Sequence, residues 1–149
     1  IPKGLVGSEM CIRDRHDGQD DFIHQASLQN DELRGSADLL ERIDKPSKLG
    51  AWSYIPIECK LSSHPKPIYL VQACAYCELL EPILGHRPEN FKLYLGGGIF
   101  EQGPDGYRLD DFWMWYRSFV IDITISSRIL MKTNNRNILQ VIMDIGPLL

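Results

Sequence analysis

A chain of 149 residues that is 44% hydrophobic can build one domain with a true core but hardly two. Its formal charge of −4 gives no global basic field of the kind that drives nucleic-acid binding by counterion release, although a carboxylate site adds negative charge that a bound cation would cancel. The longest apolar run, FWMWYRSFVIDITI, is broken by Arg117 and Asp122 well short of the roughly twenty residues a bilayer span needs, so no membrane helix is expected. Cysteines 11, 59, 74 and 77 lack the paired spacing of a small secreted scaffold, and a reducing cytoplasm is the simpler setting.

In chain order, residues 1 to 18 read as a non-native head without a fold, because VGSEMCIRDR resembles translated sequencing-adapter read-through. Residues 19 to 122 carry the organised pattern. DFIHQASLQ alternates as a strand, NDEL supplies a turn, and LRGSADLLERID reads as the second strand of a hairpin, with Gly35 allowing a bend near Asp38. KPSKLGA is a loop, and WSYIPIECKLS follows as a third strand, bulged or open on one side at Pro56. From Pro67 the period changes: Leu70, Ala73, Cys74, Cys77, Leu80 and Leu84 recur at helical spacing until Gly85. NFKLYLG is a short strand before a glycine-rich loop. A second helix is expected after Leu109, capped by Asp110, with Phe112, Trp115, Tyr116 and Phe119 inward. The order β-β-β-α-β-α predicts an α/β fold, a mixed sheet covered by helices. The tail, 123 to 149, reads either as the product of a frame change or truncation or as a short amphipathic helix through Ile138, Val141, Ile142 and Ile145.

In an extended strand Glu58 and Lys60 project to one face, while Ile57, Cys59 and Leu61 project to the other. Hard divalent cations take oxygen ligands, so a second carboxylate from a neighbouring strand would complete a Mg²⁺ or Mn²⁺ pocket beside an ammonium group. Asp38 is placed to supply it. Gln72 and Tyr76, four residues apart, share a face of the following helix.

Together these residues resemble the PD-(D/E)XK nuclease superfamily, and within it the RecB-like branch, over about Ile23 to Arg117. The carrying strings are GSADLLERID, PSKLGAW, ECKLSS and VQACAYCELL, with the superfamily's acidic residues and lysine falling on Asp38, Glu58 and Lys60 and the branch's Gln and Tyr on Gln72 and Tyr76. The resemblance implies a restriction-endonuclease-like mixed β-sheet flanked by α-helices, and hydrolysis of DNA, such as single-stranded ends, in repair or recombination. It implies Mg²⁺ or Mn²⁺ held by Asp38, Glu58 and the main-chain carbonyl of Cys59. Lys60 would orient water or stabilise charge on the phosphate, and Gln72 and Tyr76 would bind the backbone or support the site. Relatives are commonly joined to helicase regions, and an iron–sulfur cluster would belong only to an intact parent protein. The family's upstream acidic residue or His would fall in the suspect head and its downstream cysteines beyond the tail, so the chain is expected to be a fragment of such a protein.

Competing readings of the same residues are a solvated Glu58–Lys60 ion pair with Asp38 as a turn residue, and a noncatalytic nucleic-acid-binding or assembly domain on the nuclease scaffold. Cys74 and Cys77 lie inside an apolar helix with no second ligand pair nearby and read as core. His24 reads as a structural or exposed strand residue, and His64 and His86 as loop residues. The glycine run at 96 to 98 lacks the Lys and Ser/Thr of a phosphate loop, and Trp113, Trp115 and Tyr116 read as helix core rather than a base-stacking platform.

Overall fold

A computed structural model describes residues 21–96 and 105–130. The head, most of the glycine-rich loop and the distal tail lie outside the described residues. Among the described residues the fold is α/β: five strands in the order β1-β2-β3-β4-β5 form a mixed sheet, accompanied by two helices. Among the described residues no helix is long and apolar enough to cross a membrane.

The first two strands, β1 (Phe22–Gln29) and β2 (Arg34–Ile43), form the expected hairpin. Asn30 makes the turn: its side-chain oxygen accepts the N–H groups of Glu32 at 2.8 Å and Leu33 at 2.7 Å. The antiparallel register runs from Phe22↔Glu41 to Gln29↔Arg34 but passes over the pair Gln25 and Asp38, where Gln25 adopts a φ of 55°. Burial shifts by one residue there on both strands, from Ile23 and Leu40 to Ala26 and Ala37. The irregularity thus falls opposite Asp38. Gly35, where a bend was expected, stays in the ladder facing Leu28.

Strand β3 (Ser53–Cys59) pairs antiparallel with β2 from Ile43↔Ser53 to Leu39↔Ile57, and parallel with β4 (Asn90–Tyr94) from Ile57↔Lys92 to Cys59↔Tyr94. Pro56, which has no N–H to donate, sits one residue before the β4 ladder begins and is tolerated on that open side. The short β5 (Tyr107–Arg108), not expected from the sequence, pairs antiparallel with β4.

Helix α1 (Pro67–Leu84) opens on Pro67, whose missing N–H costs nothing in a first turn, and closes on Gly85 at φ 81°, whose N–H donates to the Glu81 carbonyl at 2.8 Å. Every residue from Val71 to Cys77 is buried, as expected for a helix with the sheet on one side and a second helix on another. Cys74 and Cys77 are core residues, both free thiols. Helix α2 (Asp110–Leu130) begins with Asp110 already helical, and the Leu109 carbonyl accepts from the N–H groups of Phe112 and Trp113. Asp110 and Asp111 therefore sit in the first turn, where carboxylates oppose the helix dipole favourably. The helix runs through the first part of the expected tail without a break.

Glu78 of α1 ties the two helices together, accepting from the Tyr116 hydroxyl at 2.6 Å and from Arg117 at 2.9 Å. Tyr116 is buried, and Phe112, Trp113 and Phe119 pack partly against the core. Trp115, expected to face inward, is 43% exposed and stacks on Phe119, because the contact stripe on α2 follows Tyr116 and Val120 and leaves position 115 on its edge. Trp113 is covered instead by the Arg87 guanidinium, 3.9 Å from its ring centre.

A Cβ at Gly85 would combine a left-handed backbone with a 2.9 Å approach to Lys48 Cγ. Gly85→Ala is therefore expected to destabilise the fold by roughly 1–2 kcal/mol, the cost of a non-glycine residue in that region. Urea unfolding should show it as a lower midpoint with an unchanged slope.

Candidate functional site

The site lies where β3 leaves β2 for β4. The β2–β3 ladder ends at Leu39↔Ile57, and the next residues along, Asp38 and Glu58, no longer pair through their backbones. Beyond that point the facing edges of two strands diverge, and their polar groups need other partners. Side chains provide them. Asp38 Oδ2 accepts the Cys59 N–H at 2.9 Å, and the Tyr76 hydroxyl of α1 donates to the Ser36 carbonyl at 3.0 Å. The N–H and C=O of one strand residue leave on the same edge, so the Cys59 carbonyl opens into the fork beside Asp38.

Glu58 and Lys60 share one face, as alternation predicts, but neither is solvated. Glu58 is 2% exposed and the Lys60 side chain 6%, with Lys60 Nζ 3.9 Å from Glu58 Oε1. That disposes of an ordinary surface ion pair, because the α1 helix covers the face that alternation alone leaves open. The Glu58 carboxyl is pushed up to about 9. Burial is the main cause. The Lys60 ammonium opposes the rise, while the Asp38 charge and a hydrogen bond between the two carboxyls add to it. At neutral pH this pair therefore retains a proton. Glu58 Oε2 is buried and accepts no hydrogen bond.

Tyr76 reaches the fork from α1, and Gln72 lies one helical turn before it on the same face of the helix. Gln72 is 1% exposed, and its Oε1 also accepts no hydrogen bond. Tyr76 is held as a neutral phenol, its pKa raised first by burial and then by the charges of Glu58 and Asp38. The Cys59 thiol is pushed up to about 11 by burial and by the two carboxyls, with Lys60 opposing, so it is no nucleophile at neutral pH. Among the described residues no group of three or more His, Cys, Asp or Glu side chains could hold a metal ion. The donors at the fork are two carboxyls and main-chain oxygen.

One neighbour escaped the sequence reading. Tyr69, fully buried, places its ring 5.3 Å from Lys60 Nζ. Its position three residues before Gln72, on the same helical stripe, was the available signal. His24 is exposed on β1, His64 is exposed beside Ser63, and His86 sits against Ser53 at the other end of β3. No family model matches this chain, and no curated protein matches it.

The buried carboxyl makes stability depend on pH. Unfolded Glu58 loses its proton near 4.5 and folded Glu58 near 9, so between these values folding takes up a proton and stability falls as pH rises. Glu58→Gln removes the ionisation. In metal-free buffer the variant should gain on the wild type from pH 5 to pH 8, by at most about 1.4 kcal/mol per pH unit. Urea midpoints measured across that range check it; a constant difference would contradict the assignment of the buried proton.

Proposed function

We propose that this chain is a RecB-like nuclease module of the PD-(D/E)XK type, with the restriction-endonuclease-like architecture, that hydrolyses DNA phosphodiesters with Mg²⁺ or Mn²⁺. The observation that carries the reading is the convergence at one strand fork of Asp38, Glu58 and the Lys60 ammonium, with Glu58 Oε2 and Gln72 Oε1 buried and accepting no hydrogen bond. Buried oxygens left without donors are what a cation or ordered water would satisfy.

The donor set suits a hard cation: Asp38, Glu58 and the Cys59 carbonyl are all oxygen ligands. Bound there, Mg²⁺ or Mn²⁺ would supply Lewis-acid polarisation of a phosphate and a more acidic water. The residues contribute the rest. Glu58 must give up its proton to serve as a ligand, so cation affinity rises with pH toward 9. Lys60, fixed beside Glu58, offers its charge to the phosphate oxygens as negative charge builds on them. Gln72, one helical turn from Tyr76 and buried with a side-chain oxygen to spare, would orient water or a ligand. Tyr76 keeps the strands apart by holding Ser36, and so preserves the opening. A cytoplasmic repair or recombination setting, with single-stranded ends as substrate and a helicase as fused or associated partner, fits this chemistry.

Purified protein is expected to nick or shorten DNA only when Mn²⁺ or Mg²⁺ is added. Asp38→Asn, which keeps an acceptor for the Cys59 N–H, Glu58→Gln and Lys60→Ala should each lower the rate by about a hundredfold or more while circular dichroism melts stay cooperative. A variant that cleaves at the wild-type rate would sink the assignment. Salt-sensitive DNA binding that needs no cation, without cleavage, would favour the noncatalytic scaffold instead.

A further inference from the structure

We propose that Tyr69 is a positioning residue of this site, a support against which Lys60 is held; the inference rests on the nuclease reading. Lysine has a flexible four-carbon stem and a strongly hydrated head, so a lysine that must meet one phosphate needs its ammonium confined and its lost water replaced. Glu58 does only part of this, since at 3.9 Å it attracts the ammonium from beyond hydrogen-bond distance. The Tyr69 ring provides a second contact. Its centre lies 5.3 Å from Lys60 Nζ, within the range where an aromatic face attracts a cation, and the Lys60 side chain is only 6% exposed.

The location of Tyr69 supports the same role. It sits in the first turn of α1, which follows directly on the loop leaving β3 after Lys60, and shares a helical face with Gln72 and Tyr76. A second ammonium, Lys66 Nζ, lies 5.9 Å from the same ring. Tyr69 is wholly buried, which suits a support better than a substrate contact.

Its hydroxyl separates ring from phenol. The Tyr69 oxygen is buried with no hydrogen-bond partner, so it adds nothing that holds Lys60, and phenylalanine would carry the ammonium as well. Tyr69→Phe should therefore keep full function, whereas Tyr69→Leu should fill much of the space and lose the support.

The experiment compares wild type, Tyr69→Phe and Tyr69→Leu in three measurements on the full chain. In carbon-13 spectra of labelled lysine, the Lys60 ε-methylene, assigned by its loss in Lys60→Ala, should be shifted upfield by the ring in wild type and Tyr69→Phe and return to the ordinary position in Tyr69→Leu. In calorimetry with Mn²⁺ alone, all three should bind alike. In Mn²⁺-dependent DNA cleavage, kcat should fall about tenfold in Tyr69→Leu with KM little changed, and stay at the wild-type level in Tyr69→Phe. The inference is overturned if Tyr69→Leu cleaves like wild type, if it loses Mn²⁺ binding together with cleavage, or if Tyr69→Phe is impaired as much as Tyr69→Leu. Cleavage absent from wild type overturns the nuclease reading itself, and the role of Tyr69 with it, while the spectra still report whether the ring holds the ammonium.

Discussion

The site depends on one geometric constraint: a strand cannot stay paired with two neighbours that diverge. β3 is antiparallel to β2 up to Ile57 and parallel to β4 from Ile57 onward, so one residue hands the strand from one neighbour to the other. Past it, backbone groups on the inner edges of β2 and β3 have no strand opposite them. Such groups cannot be left bare in a protein interior. Asp38 takes the Cys59 N–H and Tyr76 covers the Ser36 carbonyl, so the same side chains that repair the sheet also define the opening.

The helix α1 lies over that fork. By covering the face that carries Glu58 and Lys60, it removes water from both and raises the cost of a bare carboxylate until the carboxyl keeps its proton. A carboxyl buried in this way is costly to ionise. The surrounding packing makes the tension sustainable. α1 is itself buried on most sides, fastened to α2 through Glu78 and closed at Gly85, so the lid does not lift without disturbing the core.

Much of this was legible in the chain. The turn at Asn30, the helix from Pro67 to Gly85, and Glu58 and Lys60 on one face all follow from local chemistry, because turn oxygens, proline, glycine and alternation act over a few residues. Asp38, expected from the neighbouring strand, lies beside Glu58 and the Cys59 N–H. Elsewhere local rules misled. Gly35 suggested a bend, yet it stays in the ladder, and the irregularity falls at Gln25 and Asp38 instead. Trp115 matched an aromatic stripe, yet the contact between α2 and α1 follows Tyr116 and leaves Trp115 at the edge. β5 was too short to read.

By itself the sequence determined the hairpin, the order of the long elements, and which polar side chains share a face, since each of these depends on neighbours a few positions away. Only the tertiary structure decided that Glu58 is buried, that the Lys60 ammonium lies over the Tyr69 ring, and that the ladder gives out beside Asp38. Those facts depend on where a helix lies across a sheet and where one strand parts from another, and residues far apart in the chain fix both.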